Sequence, residues 1–224
     1  MKIATFNIQH VRNYLEDKID FPLFIKTIAD IDPDICGLNE VRGRGVRDDY
    51  TAQAETLGSA LQMHSVFGCS AMIGGENAYG NAVLSKMPVR EMKVISIKET
   101  VTGAEPRSVL FADYGDIVVL QTHLGLKEPE FYEGVNTVYS LLKAQTKPAV
   151  LMGDFNLRPD HPALQPLLSD TDIQYLDTGL TFPSDKPDRK IDYIFVNKYV
   201  KVKDVFVPDL IVSDHRPIIA EIEF

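Results

Sequence analysis

Eleven short runs rich in Val, Ile and Phe, each closed by Gly, Pro, Asn or Asp, restrict the folds open to this chain of 224 residues more than any other feature. Such runs read as β-strands separated by turns. They fall near 2–8, 34–41, 64–68, 79–85, 92–98, 107–114, 116–123, 148–153, 191–197, 200–207 and 217–224. Ile117, Val118, Val119 and Leu120 are continuously apolar, as in a strand buried on both faces. Val200, Val202 and Val205 instead interleave with Lys201, Lys203 and Asp204, as nearer a solvated face.

Three stripes of helical period lie among the strands. Phe24, Ile28 and Ile31 follow Pro22 and stop before Pro33; Ala54, Leu57 and Leu61 repeat the spacing; Phe131, Val135, Val138 and Leu142 follow Pro129. Each stripe is most simply the core face of a helix packed on a sheet. Eleven strands exceed what one open sheet usually holds. The expected fold is therefore α/β (α+β), a four-layer sandwich of two packed mixed β-sheets flanked by helices. No linker or fixed-period repeat interrupts the order, so residues 1–224 are expected to form a single domain.

Composition narrows the partners. Lys and Arg number 23 against 32 Asp and Glu, a formal charge of −9 that repels polyanions and disfavours long duplex DNA. Cys36 and Cys69 are too few for a disulfide framework, and Cys36 sits in an apolar run where a thiol packs as a small hydrophobe. Met1 leads directly into Lys2-Ile3-Ala4-Thr5-Phe6 without a basic leader. No stretch reaches the roughly 20 apolar residues that span a membrane. A cytoplasmic location is the expectation; oligomeric state is not set by these features.

Polar residues break the apolar runs at one kind of place, the carboxyl end of a strand. Asn7 does so in "IATFNIQ", Glu40 in "ICGLNEV", His123 in "VLQTHLG", Asp154 and Asn156 in "VLMGDFN", and Asp214 and His215 in "IVSDHRP". Clustered strand ends form the crevice where sheet proteins hold ligands. A lone Asp there is usually a turn or cap; the joint recurrence carries the weight. Carboxylates and amides are hard oxygen ligands, which suit Mg²⁺, or Mn²⁺ in its place, better than Zn²⁺. The chain has no G-x-x-x-x-G-K-[ST] loop, G-x-S-x-G elbow or H-E-x-x-H helix. A hard cation, a carboxylate base and two histidines suit hydrolysis of a phosphate ester.

With "TFNIQ", "LNEV", "QTHLG", "GDFN", "RKIDYIFV" and "SDHRPI" in this order, the chain resembles the endonuclease/exonuclease/phosphatase superfamily over Asn7 to His215. That superfamily comprises metal-dependent phosphoesterases of deoxyribonuclease I-like fold. The resemblance implies that Glu40 is the principal metal ligand, with Asn7 at the metal or its water shell and Asp214 at its outer face. It implies that Asp154 accepts a hydrogen bond from the attacking water and that Asn156 holds the scissile phosphate. His215 would contact a phosphoryl oxygen or the water, Asp192 would fix its tautomer and sustain its charge, and His123 would act across the phosphate as ligand or general acid. The expected activity is that of a phosphodiesterase or phosphatase on a small, lipid-linked or short nucleic-acid substrate. A DNA or RNA endonuclease is the alternative, and a non-catalytic binding protein retaining the fold is the alternative of another class.

Two departures stand out. Asn39 occupies a position that is usually Gln in the superfamily, which bears on what surrounds the ligand Glu40. His123 stands where abasic-site endonucleases carry Tyr. Three further residues are candidates for substrate contact. Asn81 in "GNAVLS" either brings an amide toward the phosphate or forms a turn with Gly80. Arg107 in "EPRSVLF" either clamps an anion or is a solvated strand-start charge. Arg42, with Arg44 and Arg47, either forms a basic lip or is neutralised by Asp48 and Asp49. Lys186, Arg189 and Lys190 read as solvated, and His10, His64 and His161 as surface or packing residues.

Overall fold

The computed structural model describes residues Met1 to Phe224. The first half of the chain comprises β1 (Lys2–Asn7), β2 (Arg12–Asn13), β3 (Lys18–Ile19), α1 (Phe21–Ile31), β4 (Ile35–Arg42), α2 (Gln53–Leu61), β5 (His64–Ile73), β6 (Asn77–Ser85), β7 (Glu91–Ser96) and β8 (Ser108–Asp113). The second comprises β9 (Val118–His123), α3 (Glu128–Lys143), β10 (Ala149–Asp154), α4 (Gln165–Ser169), β11 (Ile173–Tyr175), β12 (Asp192–Asn197), β13 (Lys201–Phe206) and β14 (Ile218–Glu223). Every strand expected from the sequence is present, and the one expected at 64–68 continues to Ile73. No helix is long and apolar enough to cross a membrane.

The helices start and stop for local reasons. Asp20 caps α1 by accepting a hydrogen bond from the Leu23 N–H at 3.1 Å, Pro22 sits in the first turn, and Asp32 closes the helix in the left-handed conformation. In α3, Pro129 lies in the first turn and Val135, Val138 and Leu142 form the buried stripe.

Two six-stranded mixed sheets pack face to face, with strand orders β13-β14-β1-β4-β6-β5 and β11-β12-β10-β9-β8-β7. Each is centred on a parallel pair joined by a helix: β1–α1–β4 in the first sheet and β9–α3–β10 in the second. Alternation along the strands divides the apolar side chains into three layers. Ile3, Ile35, Val119, Val150, Met152 and Ile194 fill the space between the sheets. Ala4, Cys36 and Leu38 face α1 and α2, and Leu120, Leu151 and Phe195 face α3. The carboxyl ends of β1, β4, β9 and β10 consequently meet at one end of the inter-sheet layer.

Candidate active site

Continuing the pleat outward shows why that end is polar. Residues in phase with Ile3, Ile35, Val119 and Met152 on the inter-sheet face are Asn7, Asn39, His123 and Asp154. Register places Asp154 beside His123 on β9 and beside Asp192 on β12, so these three form a row across one sheet. Asn7 pairs in register with Asn39 on the other sheet.

Glu40 would fall on the outer face with Leu38 by strict alternation. A β-bulge between Leu38 and Val41 prevents this, and Glu40 adopts φ +58°. Left-handed backbone costs a non-glycine residue about 1–3 kcal/mol. Here the bulge turns the carboxylate toward the crevice, the usual consequence of an extra residue in a strand.

Four groups converge on Asp154. Its Oδ1 accepts a hydrogen bond from the Asn156 N–H at 2.9 Å. Its Oδ2 accepts one from Asn7 Nδ2 at 3.1 Å and lies 3.5 Å from His123 Nε2 and 3.6 Å from His215 Nε2. Asn7 Nδ2 also donates to Glu40 Oε1 at 3.1 Å, while Asn7 Oδ1 accepts from the Gln9 N–H. In this orientation Asn7 tethers two carboxylates and turns its oxygen away from the crevice. Asn156, at φ +56°, directs its Nδ2 to the Leu124 carbonyl at 3.1 Å.

The buried charges hold one another in unusual protonation states. Burial would lower the His215 pKa, but Asp192 at 2.8 Å and Asp154 raise it to about 10, so the ring is an imidazolium at neutral pH. Burial, aided by the Asp192 charge, pushes the Asp154 carboxyl up to about 7. His123 moves the other way: burial, then the Arg107 and His215 charges, hold it well below the usual imidazole range and neutral.

Two groups of residues could receive a cation. One ligand atom each from Asp154, Asp192 and His215 lie within 4.8 Å of one another. In that cluster the His215 imidazolium offsets one of the two carboxylate charges and has no free lone pair for a metal. Glu40 and Asp214 fit better. Burial raises the Asp214 carboxyl and the neighbouring Glu40 charge raises it further, against the opposing effect of His215. Two hard oxygen donors that repel each other at a crevice suit a divalent cation.

The remaining candidates occupy different positions. Asn81 is not at a turn; it lies inside β6, buried, with its Oδ1 accepting from Asn39 at 2.8 Å and its Nδ2 donating to the Ser108 carbonyl. Arg107 is half-buried, paired with Glu105 at 2.9 Å, with its Nε unpartnered. Arg42 is paired with Asp49 at 2.5 Å and lies over the Tyr50 ring. Arg44 pairs with Glu55, and Arg47 is exposed.

Three readings from the sequence need correction. Lys190 is 4% exposed, against the rings of Tyr175 and Tyr193, and burial lowers its pKa to about 8. Arg189 is half-buried and stacks on Phe182 at 4.5 Å. His10 belongs to the crevice: its Nδ1 lies 3.1 Å from the Glu40 carbonyl and its Nε2 3.7 Å from Glu40 Oε2. No strand-end pattern marks His10, which follows β1 in a left-handed turn at φ +59°. The amides of Asn39 and Gln121, buried beneath the crevice, were also not marked as site residues by sequence.

The sequence pattern of the Endonuclease/Exonuclease/phosphatase family matches residues 4–215. The chain belongs to that family. No curated protein sequence is significantly similar to it. Among solved structures, an endonuclease/exonuclease/phosphatase of Beutenbergia cavernae DSM 12333 superposes with a TM-score of 0.80 at 24% identity, covering 100% of this chain and 71% of that one. A mannosyl-6-phosphatase of Bacteroides thetaiotaomicron VPI-5482 superposes at 0.79 and 18% identity, with 100% of both chains covered. The human Nocturnin catalytic domain with bound sulfate anion gives 0.73 at 16%, covering 100% and 93%. At these identities the structures share the fold, the two-sheet sandwich with outer helices. Membership of the family makes the chain an enzyme, a hydrolase of phosphate esters, and the family generally depends on a divalent metal.

Proposed function

We propose that residues 1–224 act as one catalytic domain that hydrolyses phosphate esters of small, lipid-linked or short nucleic-acid molecules, using Mg²⁺ with Mn²⁺ as substitute. The observation that carries this reading is the convergence on Asp154 Oδ2 of Asn7, neutral His123 and cationic His215. The separations of 3.5 and 3.6 Å to the two imidazoles exceed a good hydrogen bond, which leaves both Nε2 atoms available to a substrate or water oxygen.

Glu40 and Asp214 would hold the cation, which supplies Lewis-acid polarisation of a phosphoryl oxygen. Asp154, with a pKa near the operating pH, accepts the proton of the attacking water as its oxygen bonds to phosphorus and the ester P–O bond breaks, the leaving oxygen taking a proton from solvent. His215 donates to a phosphoryl oxygen on which negative charge gathers. Asp192 keeps His215 protonated, and neutral His123 can donate one further hydrogen bond. Asn156, in the loop after β10, extends its amide to the Leu124 carbonyl in the loop after β9, beside the same space.

The paired arginines favour a compact substrate. Arg42, Arg44 and Arg107 each face a carboxylate, and the chain carries −9 overall, which leaves little to grip a long polyanion. Mono- and diester model substrates, assayed with Mg²⁺, Mn²⁺ and chelator, test the proposal, with plasmid DNA as the contrasting substrate. Metal-dependent turnover that Asp154→Asn reduces at least about 100-fold is expected. Unchanged turnover in that variant would remove the mechanism, and efficient plasmid nicking would make the enzyme an endonuclease instead.

A further inference from the structure

The apolar layer between the sheets ends, just below the crevice, in four polar side chains that are each at most 1% exposed: Thr5, Asn39, Asn81 and Gln121. Burying amides is unfavourable unless their hydrogen-bonding capacity is used. Asn39 uses all of it. Its Oδ1 accepts from the Asp154 backbone N–H at 3.0 Å and from Gln121 Nε2 at 3.0 Å; its Nδ2 donates to the Thr122 carbonyl at 2.7 Å and to Asn81 Oδ1 at 2.8 Å. An amide offers two acceptor sites and two donors, so none remains. Its orientation is dictated by the backbone, because only oxygen can face the Asp154 N–H and only nitrogen the Thr122 carbonyl.

These contacts join the two halves of the crevice. Asn39 is the residue before Glu40 on the first sheet, whereas Asp154 and Thr122, which precedes His123, end the central strands of the second. We infer that Asn39, backed by Gln121, is a positioning pair that sets the spacing between the Glu40 half and the Asp154 half of the site. The inference rests on the phosphoesterase reading above and adds residues that act through others.

The surroundings are shaped for this pair. Gly37 lies one pleat before Asn39, and a Cβ there would come within 1.9 Å of Gln121 Oε1. The missing side chain on β4 is the space into which the Gln121 amide reaches from β9. Gln121 Oε1 itself has no partner, while Gln121 Nε2 bonds Asn39 and approaches Thr5 Oγ1 at 3.4 Å. Placing a long amide where one of its atoms goes unbonded is costly, and the bond it makes to Asn39 is what that placement secures. Gln121 thus reaches from the second sheet to two residues of the first, Asn39 and Thr5.

The test is a set of double-mutant comparisons. Asn39→Ala and Gln121→Ala are each made in the native chain and in Asp154→Asn, and turnover of bis(p-nitrophenyl) phosphate with Mn²⁺ is measured with equilibrium Mn²⁺ binding and thermal unfolding. Asn39→Ala should lower kcat about 30-fold with KM changed less than about threefold, and weaken Mn²⁺ binding about tenfold. In the Asp154→Asn background the kcat loss should shrink below about threefold, because the group being positioned has gone. Equal losses in both backgrounds would mean that Asn39 only supports the fold, and would overturn the inference. If Asn39→Ala does not fold, Gln121→Ala decides by the same comparison, with an expected loss of about tenfold that again vanishes in Asp154→Asn. Should Asp154→Asn alone leave turnover intact, the phosphoesterase mechanism falls and this inference with it. A loss in Asp154→Asn with equal losses for Asn39→Ala overturns only the positioning role.

Discussion

His215 Nδ1 lies 2.8 Å from Asp192 Oδ2, with both side chains at most 5% exposed. The pair joins the loop before β14 on one sheet to the first residue of β12 on the other. Its charge state follows from the balance already described: burial opposes protonation of His215, and two carboxylates prevail, taking its pKa to about 10. Asp192→Asn keeps the shape and removes the carboxylate that raises the His215 pKa most. Turnover is expected to fall about 10- to 100-fold, and the alkaline limb of the pH–rate profile to move down from about 10 toward the ordinary histidine value.

The same pair makes a stability prediction with a definite sign. A histidine whose folded pKa is raised above its unfolded value of 6.5 contributes stability that is fully present below 6.5 and is lost as pH rises through about 10. The unfolding midpoint of Asp192→Asn should therefore lag the native chain most at pH 6, and the gap should close above pH 10. A deficit independent of pH would mean that the pair contributes through packing and not through charge.

Asp154 gives the same direction of pH dependence for a different reason, since here burial disfavours the charged form. Its folded pKa is raised from 3.8 to about 7, so the folded state holds the proton longer than the unfolded chain, and stability declines as pH rises across that window. The carboxylate needed for catalysis is thus the less stable form of the fold. Asp154→Asn should unfold at a higher temperature than the native chain at pH 8 and at nearly the same temperature at pH 4, while losing turnover. The native chain's activity in turn should rise with pH through an acid limb at or below about 7, since a cation bound beside Asp154 favours its ionised form. An acid limb above that value would assign the base elsewhere.

The cation itself should be visible in stability. Ligation by Glu40 and Asp214 relieves their mutual repulsion only in the folded state, and a ligand at 100 times its dissociation constant stabilises by about 2.7 kcal/mol. For a chain of this size that corresponds to roughly 5–10 °C in the unfolding midpoint. Mg²⁺ or Mn²⁺ should raise the midpoint, chelator should reverse the rise, and Glu40→Gln should abolish it. A full shift in Glu40→Gln would place the cation at another set of ligands, of which Asp154, Asp192 and His215 are the compact alternative.

What could be read from the sequence, and what could not, divides along physical lines. Strand periodicity marked the long elements because each repeats its pattern over several residues. The two-residue β2 and β3, the three-residue β11 and the five-residue α4 are too short to show a period, and went unseen. Strand-end polar residues were legible because they interrupt apolar runs; His10, in a loop that is polar anyway, was not. Lys190 looked solvated because it follows Lys186 and Arg189 in a Pro-containing loop, yet its ammonium lies over the Tyr175 and Tyr193 rings. Asn81 in Gly80-Asn81 resembles a turn dipeptide, but its amide is a partner of Asn39 forty-two positions away in sequence. Such long-range pairings leave no local trace.

Gly153 shows how closely the strands bearing the site approach each other. It lies on β10 beside Thr122 of β9, with φ +140°, and a Cβ built on it would stand 1.9 Å from the Thr122 carbonyl oxygen. Backbone cannot yield as a flexible side chain would, and the dihedral alone penalises any L residue by about 1–3 kcal/mol. Both Thr122 and the next residue of β10, Asp154, are also held by Asn39, so a shift that relieved the clash would strain those bonds. Gly153→Ala is expected to cost at least about 3 kcal/mol, measured by urea unfolding, and to reduce turnover in whatever fraction remains folded because Asp154 moves with its neighbour. A cost below about 1 kcal/mol, with turnover unchanged, would mean that β9 and β10 can separate freely at the crevice, and that the Asp154 carboxylate is not fixed by the strand that carries it.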